Sequence, residues 1–352
     1  MIEIDGSKGE GGGQLLRTCL SLSALTGQPF LISNIRAGRK KPGLRPQHLT
    51  TVQAMAAICT ADSRGAALNS QNLTFIPRSR PLGGAYSFDV ADAAPGGSAG
   101  SVTLILQALL WPLLFTRQPS TVRLRGGTHV PYSPSFHFIS SVLQPALARF
   151  GVSFSSTLAA WGWYPRGQGE ITATITPQTI LRSTDFTLER INEVRGIAAV
   201  TNLPAHIPQR MAQRATKLLT DSGLTARITP IRDKGAAPGA GIFLWTPLAG
   251  FSNLGRPGLP AEKVAGSAVA DCLAFIENRV AVGPYLADQL LLPLALANGR
   301  SSFTTSCLTS HTLTNAQLLR EWLDVEIEIS GTPGKPGQVI VKGIAFNNSS
   351  TS

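Results

Sequence analysis

The first half of this chain repeats itself at a fixed interval, and that periodicity limits the possible fold more than any local pattern. Each copy reads as a glycine-rich loop, an apolar helix, a short strand ending in an Arg-Gly corner, a proline-containing loop and a second helix. In the first copy the helix spans Gln14 to Leu25 and the strand Phe30 to Ile35. The corner is Arg36-Ala-Gly38, and the second helix runs from His48 to Ile58. In the second copy Gly96 to Gly100 precedes a helix from Val102 to Phe115. A strand Thr121 to Leu124, the corner Arg125-Gly-Gly127 and a helix around His137 to Phe150 follow. The corner arginines (125 − 36) and the helix-start histidines (137 − 48) are both 89 positions apart. Equal spacing of two independent markers identifies a duplicated unit, which buries its apolar face by stacking on its own copies.

A third copy follows the same plan, with a helix from Tyr285 to Ala295, a strand from Ser301 to Thr305 and a second helix from Asn315 to Leu323. In this register His311 falls in the same strand-to-helix loop as Arg39 to Gly43 and Thr128 to Pro131. Packing of the three units about a common axis would bring those loops to one end. The stretch between copies two and three alternates strand and helix and is expected to form a small inserted α/β domain. The predicted elements are strand Ala198 to Thr201, helix Pro208 to Leu224, strand Ala226 to Ile231, strand Ile242 to Thr246 and helix Ala261 to Phe275. Asp233 to Gly241 is expected to be a flexible loop. The predicted organisation is a main domain of 1–180 and 278–342, an insert of 181–277 and a polar tail of 343–352.

With 43% apolar residues the chain supports a core, which excludes global disorder. The net charge of +11 arises from 31 bases against 20 acids, and so favours an anionic partner. Four scattered cysteines (Cys19, Cys59, Cys272, Cys307) contain no C-x-x-C pair and predict reduced thiols rather than zinc or disulfides. The longest apolar run, Val102 to Phe115, is interrupted by Gln107 and Pro112 and is too short to span a bilayer. With no leader-like start, a cytoplasmic protein without a membrane partner is expected.

Three regions carry chemistry. Gly6-Ser-Lys-Gly-Glu-Gly-Gly-Gly13 lies between a strand and a helix, where backbone N–H groups can face a phosphate. It is neither a Walker A loop nor a dinucleotide fingerprint. Glu10 within it would repel phosphate unless a cation intervenes, which points to Mg²⁺ (or Mn²⁺) held by one carboxylate and the phosphates. The alternative is a tight turn that simply requires glycine. Arg36, Arg39, Lys40, Lys41, Arg45, Gln47 and His48 crowd the second loop, and forked guanidiniums suit a terminal phosphate. A solvated basic loop has the same composition. His311 stands in a hydroxyl-rich loop before a helix, as a candidate nucleophile. His48 and His137, at equivalent helix starts, suit capping or packing, whereas His129 lies in a loop open to substrate contact.

Taken together, Asp5 to Gln14 with Arg17, Ile35 to Gly43 with Gln47-His48, Gly126-Gly-Thr128, Gly162-x-x-Pro-x-Gly-x-Gly169, Tyr285-Leu-Ala-Asp-Gln289 and His311-x-x-Thr-Asn315 resemble the RNA 3′-terminal phosphate cyclases. The segments span nearly the whole chain in order. The resemblance implies an α/β (α+β) fold of three units, each with two helices on a four-stranded sheet, plus an inserted small domain. It implies ATP-dependent conversion of an RNA 3′-phosphate to a 2′,3′-cyclic phosphate. By position it makes His311 the nucleophile and Glu10 the metal-proximal carboxylate. Arg17, Arg36, Arg39, Gln47 and His48 would surround phosphates. Gln107, Pro131, Tyr285, Leu286, Ala287, Asp288 and Gln289 would form the adenosine side. Gln168 and Trp161 depart from the family pattern, and the insert matches no motif. A sister branch that lacks the histidine serves ribosome assembly as a scaffold; retention of His311 favours the enzyme. Oligomeric state, the physiological RNA and the role of the insert stay open at this level.

Overall fold

The computed structural model describes residues 1–9, 11–94 and 97–347. Among these residues, four four-stranded sheets carry eight helices. The first unit comprises β1 (Ile2–Asp5), α1 (Gly13–Thr26), β2 (Phe30–Ser33), α2 (Pro46–Cys59), β3 (Asp62–Arg64) and β4 (Leu73–Ile76), with sheet order β1-β2-β4-β3. The second comprises β5 (Ala85–Asp89), α3 (Val102–Leu114), β6 (Ser120–Gly126), the helical run α4 (Phe136–Phe138, Ile139–Leu143 and Gln144–Ala148, the middle segment a π turn), β7 (Ser153–Ala160) and β8 (Gly169–Thr176). Its order is β5-β6-β8-β7. In both sheets the first two strands are parallel and the others antiparallel.

The third unit repeats this plan but is interrupted. Its first strand, β9 (Asp185–Phe186), pairs in parallel with β14 (Asn298–Thr305), which follows α7 (Pro284–Leu296). Next come α8 (Ser310–Trp322), β15 (Glu326–Gly331) and β16 (Gly337–Ile344), giving the order β9-β14-β16-β15. Between β9 and α7 lie β10 (Glu193–Thr201), α5 (His206–Asp221), β11 (Thr225–Asp233), β12 (Gly239–Thr246), β13 (Ala249–Leu254) and α6 (Ala261–Glu277). Their sheet has a different order, β11-β10-β12-β13.

The three-unit α/β architecture therefore stands, with differences in detail. The extra piece enters inside the third unit, not between units two and three, because β9 falls within the 181–277 stretch expected to be insert. A two-residue strand is too short to leave a periodic signal. β13 is also new: Ala249-Gly-Phe-Ser-Asn-Leu254 contains too few large apolar residues to read as a strand. The expected loop 233–241 narrows, since β11 ends at Asp233 and β12 starts at Gly239. Finally, β16 reaches Ile344 and Phe346 is buried against the Phe115 ring at 4.9 Å, so the chain stays packed beyond 343.

The helices of the three units form one contiguous core with the inner faces of their sheets, exemplified by Leu20, Leu109, Leu290, Phe303 and Val341. α3 is apolar on every side, and 11 of its 13 residues are buried. Such a helix must be covered all round, and it packs on α1, α2 and the second sheet. β6 alternates buried and exposed over its whole length, as expected for a sheet with one face on helices. The piece between β9 and α7 has a separate core built from Met211, Leu219, Leu244, Val269 and others. No helix among the described residues is long and apolar enough to cross a membrane.

Candidate active site

Side chains from all three units meet in one cleft of about 1480 Å³. His311 lies in the first turn of α8, whose N-cap Thr309 accepts the Thr312 N–H at 3.1 Å. The glycine-rich loop lies against this turn: a Cβ on Gly9 (φ +61°) would fall 2.3 Å from Thr314 Oγ1. Gln14, at the start of α1, reaches His311 through its amide oxygen, which meets the imidazole Nδ1. Its amide nitrogen donates to Asp288 Oδ2 at 3.3 Å. An amide oxygen carries no proton, so Nδ1 is the donor in the first contact. The lone pair of the imidazole then resides on Nε2. Burial, followed by the charges of Arg17 and Arg39, lowers the His311 pKa below its usual value, so the ring is neutral at pH 7.

Asp288 sits on α7 beside Arg17. Burial outweighs the arginine and raises the Asp288 pKa to about 7. Burial in turn lowers Arg17 to about 10, still charged at neutral pH. Asp288 Oδ1 is buried with no hydrogen-bond partner. Asn315 ties α8 to both neighbouring helices, donating to the Asp288 carbonyl at 3.3 Å and accepting from Thr18 at 3.0 Å.

The basic loop adopts a braced form. Arg36 takes a positive φ of 58° and donates to the carbonyls of Lys41 and Gly43, each at 2.8 Å. Gln47 accepts the Ser101 N–H at 2.7 Å, which joins α2 to the start of α3. His48 is 4% exposed and accepts the Arg45 N–H on Nδ1 at 3.2 Å, the capping role expected of it. Burial and three nearby arginines keep it neutral. A Cβ on Gly13 would meet His48 Nε2 at 2.2 Å, so only glycine fits there. Among the described residues, Arg17, Arg36, Arg39, Lys40, Lys41 and Arg256 line the cleft against two acids, Asp271 and Asp288. That balance suits polyanionic ligands.

Most of the predicted site residues line this cleft: His311, Arg17, Arg36, Arg39, Gln47, His48, Gln107, Pro131, Tyr285, Asp288 and Gln289. Gln107 and Gln289 bridge α3 and α7 amide to amide at 2.5 Å. Two of the predicted residues lie elsewhere. Leu286 and Ala287 are fully buried in the core and absent from the cleft wall. On a helix, residues 285, 288 and 289 share one face and 286 and 287 turn away from it. Glu10 lies outside the described residues.

His129 lies in the loop before α4 and borders the cleft, yet it is almost wholly packed. It is 1% exposed, and its Nε2 meets His137 Nδ1 at 2.9 Å. Trp161 stacks on it at 4.6 Å, with Trp163 and Phe243 alongside. Trp161 Nε1 donates to Asp233 at 3.0 Å, so this cluster bolts the second unit to the sheet of β10–β13. Gln14, which the sequence offers only as part of a motif, is a further residue of the site. A polar residue one position inside a helix that follows a glycine loop is the signal it offered.

A family model described as RNA 3′-terminal phosphate cyclase matches residues 8–329. The chain is 49% identical over 347 residues to the RNA 3′-terminal phosphate cyclase of Gloeothece citriformis, covering 96% of this chain and 99% of that protein. It is 50% identical over 336 residues to the Nostoc punctiforme protein of the same name (94% and 96%) and 46% identical over 344 residues to that of Methylococcus capsulatus (94% and 95%). A solved enolpyruvyl transferase, NikO from Streptomyces tendae, aligns with the whole chain over 50% of its own length at 11% identity and a TM-score of 0.38, too distant to inform the site. With a family match over nearly its whole length and relatives of such identity, the chain belongs to the RNA 3′-terminal phosphate cyclase family.

Proposed function

We propose that this protein uses ATP to convert an RNA 3′-terminal phosphate into a 2′,3′-cyclic phosphate through a covalent His311–AMP intermediate. The observation that carries the reading is the pairing of His311 Nδ1 with Gln14 in a cation-lined cleft. It puts the lone pair of a neutral imidazole on Nε2, so no separate base is needed.

In the first step Nε2 attacks the α-phosphorus of ATP. The Nε2–P bond forms as the P–O bond to pyrophosphate breaks, and pyrophosphate leaves with the electron pair. The ring becomes positively charged, and the Gln14 oxygen on Nδ1–H stabilises that charge. Arg17, Arg39 and neighbouring cations take up charge on the phosphate oxygens. Tyr285, Asp288, Gln289, Gln107 and Pro131 form the adenosine side. Next, an oxygen of the RNA 3′-phosphate attacks the AMP phosphorus and displaces histidine. The 2′-OH then attacks the activated 3′-phosphorus, loses its proton and expels AMP. Proximity of the vicinal hydroxyl gives this closure a large effective molarity.

Mg²⁺ or Mn²⁺ carried on the nucleotide phosphates would neutralise their charge. Glu10 would supply the one carboxylate that helps the phosphates hold that cation.

The test is the intact mass of the wild type and His311→Ala after mixing with ATP and the metal. An AMP adduct on wild type alone supports the reading. No adduct on either, with ATP binding verified, leaves a non-catalytic RNA-binding scaffold.

A further inference from the structure

The cleft is larger than one nucleotide requires. Small-molecule sites usually occupy about 300–1,000 Å³, against about 1480 Å³ here. The His311 half accounts for ATP and the terminal phosphate. Beyond Pro131 the cleft continues along residues 132–135 before α4 and along the interrupting piece, chiefly β13 and the turn after it.

That wall is firmly seated. The Gly283 N–H, just before α7, donates to the Leu248 carbonyl between β12 and β13 at 2.9 Å. On the other side, a Cβ on Gly250 would fall 2.7 Å from the Phe138 ring on α4. The β12–β13 turn is thus wedged between the helix bearing Tyr285 and Asp288 and the helix that follows Tyr132. The Trp161–Asp233 bond and the rings around His129 fix the same piece from below.

Two side chains on this wall have no structural task. Tyr132 is 105% exposed and takes a left-handed φ of 59°. That conformation costs a non-glycine residue energy, and burial returns nothing here. Arg256 is exposed just after β13, between Gly255 and Pro257. An open groove that combines an exposed aromatic ring with cations is how single-stranded nucleic acid is held without base-specific contacts.

We infer that this wall is the track for the RNA strand behind its 3′-phosphate, with Tyr132 as a base-stacking platform and Arg256 as a backbone-phosphate contact. The assignment rests on the reading of the His311 end as the nucleotidyl-transfer centre. It gives the interrupting piece a role in substrate binding.

Fluorescence anisotropy with a labelled, 3′-phosphorylated oligoribonucleotide tests it on the full chain. Tyr132→Ala should weaken binding by about 5- to 100-fold, the usual range for one lost base stack. Tyr132→Phe should restore it. Arg256→Gln should weaken binding and reduce the slope of log affinity against log salt by about one, an effect that a misfolded wall would not produce selectively. Incubation with ATP alone, which involves no RNA, reads the His311 end separately. Unchanged RNA affinity in both variants overturns the track. Loss of AMP uptake in Tyr132→Ala with RNA affinity retained also overturns it and assigns the ring to ATP. Weakened RNA binding by both variants, in a wild type that takes up no AMP, upholds the track and removes the His311 reading instead.

Discussion

His311 and Gln14, 297 residues apart in the chain, meet through the imidazole Nδ1 and the side-chain amide oxygen. The same amide donates to Asp288, so one glutamine orients His311 and is itself oriented. Gln14→Ala should therefore keep the fold and slow AMP uptake by roughly 10- to 100-fold, the scale of a small misplacement of a reacting group. Single-turnover kinetics with labelled ATP checks this. A rate equal to wild type removes Gln14 from the mechanism.

The cyclisation step needs a vicinal hydroxyl. A DNA oligonucleotide ending in a 3′-phosphate should accept AMP and stall as the adenylate. Gel separation of adenylate from cyclic product distinguishes the outcomes, and a cyclic product on DNA would refute the proposed chemistry.

Gly13→Ala should damage the site through His48. The added Cβ lies 2.2 Å from Nε2 of a buried imidazole whose other nitrogen caps α2. Overpacking of this kind costs about 1–3 kcal/mol. Thermal unfolding should show a lower Tm, accompanied by slower AMP uptake. Equal Tm values would mean that His48 relaxes without cost.

Acid should unfold the protein earlier than its carboxylates alone require. Burial lowers His137 to about 4 from 6.5 and holds His48 and His129 well below 6.5. Below pH 6.5 the unfolded chain gains protons that the folded chain refuses, so stability is lost as pH falls from about 6.5 towards 4. His137 alone accounts for on the order of 3 kcal/mol across that window. Asp288, raised to about 7, and Asp271, raised by partial burial, act in the opposite direction, against four histidines (His48, His129, His137 and His311) held below their usual value. Chemical denaturation at several pH values should give this slope, and His137→Phe should make it shallower by about one proton.

The repeat was legible because α1, α3 and α7 are strongly apolar and because Arg36 and His48 recur as Arg125 and His137 at equal spacing. Convergence of the three loops followed from that symmetry. The pairing of Gln14 with His311 did not, since it depends on how the first and third units are set against each other. Leu286 and Ala287 were included through adjacency in the motif, where helical periodicity already separates them from Tyr285 and Asp288. The burial of His129 was not legible because it depends on Trp161, in the β7–β8 connection, and on Phe243 of β12, which are brought beside it only by the fold. β9 escaped notice because two residues carry no pattern.

The interruption of the third unit also imposes an order of assembly. Asp185 and Ser302, which join its first two strands, are 117 positions apart, whereas the corresponding strands of the first unit follow within one helix. Contacts of such long separation form late, because loop closure must precede the gain from pairing. The helix carrying His311 follows β14, so His311 is expected to take its place after the first two units have formed. A chain caught partway through folding would have the cationic wall of its first unit before His311 is in place beside it.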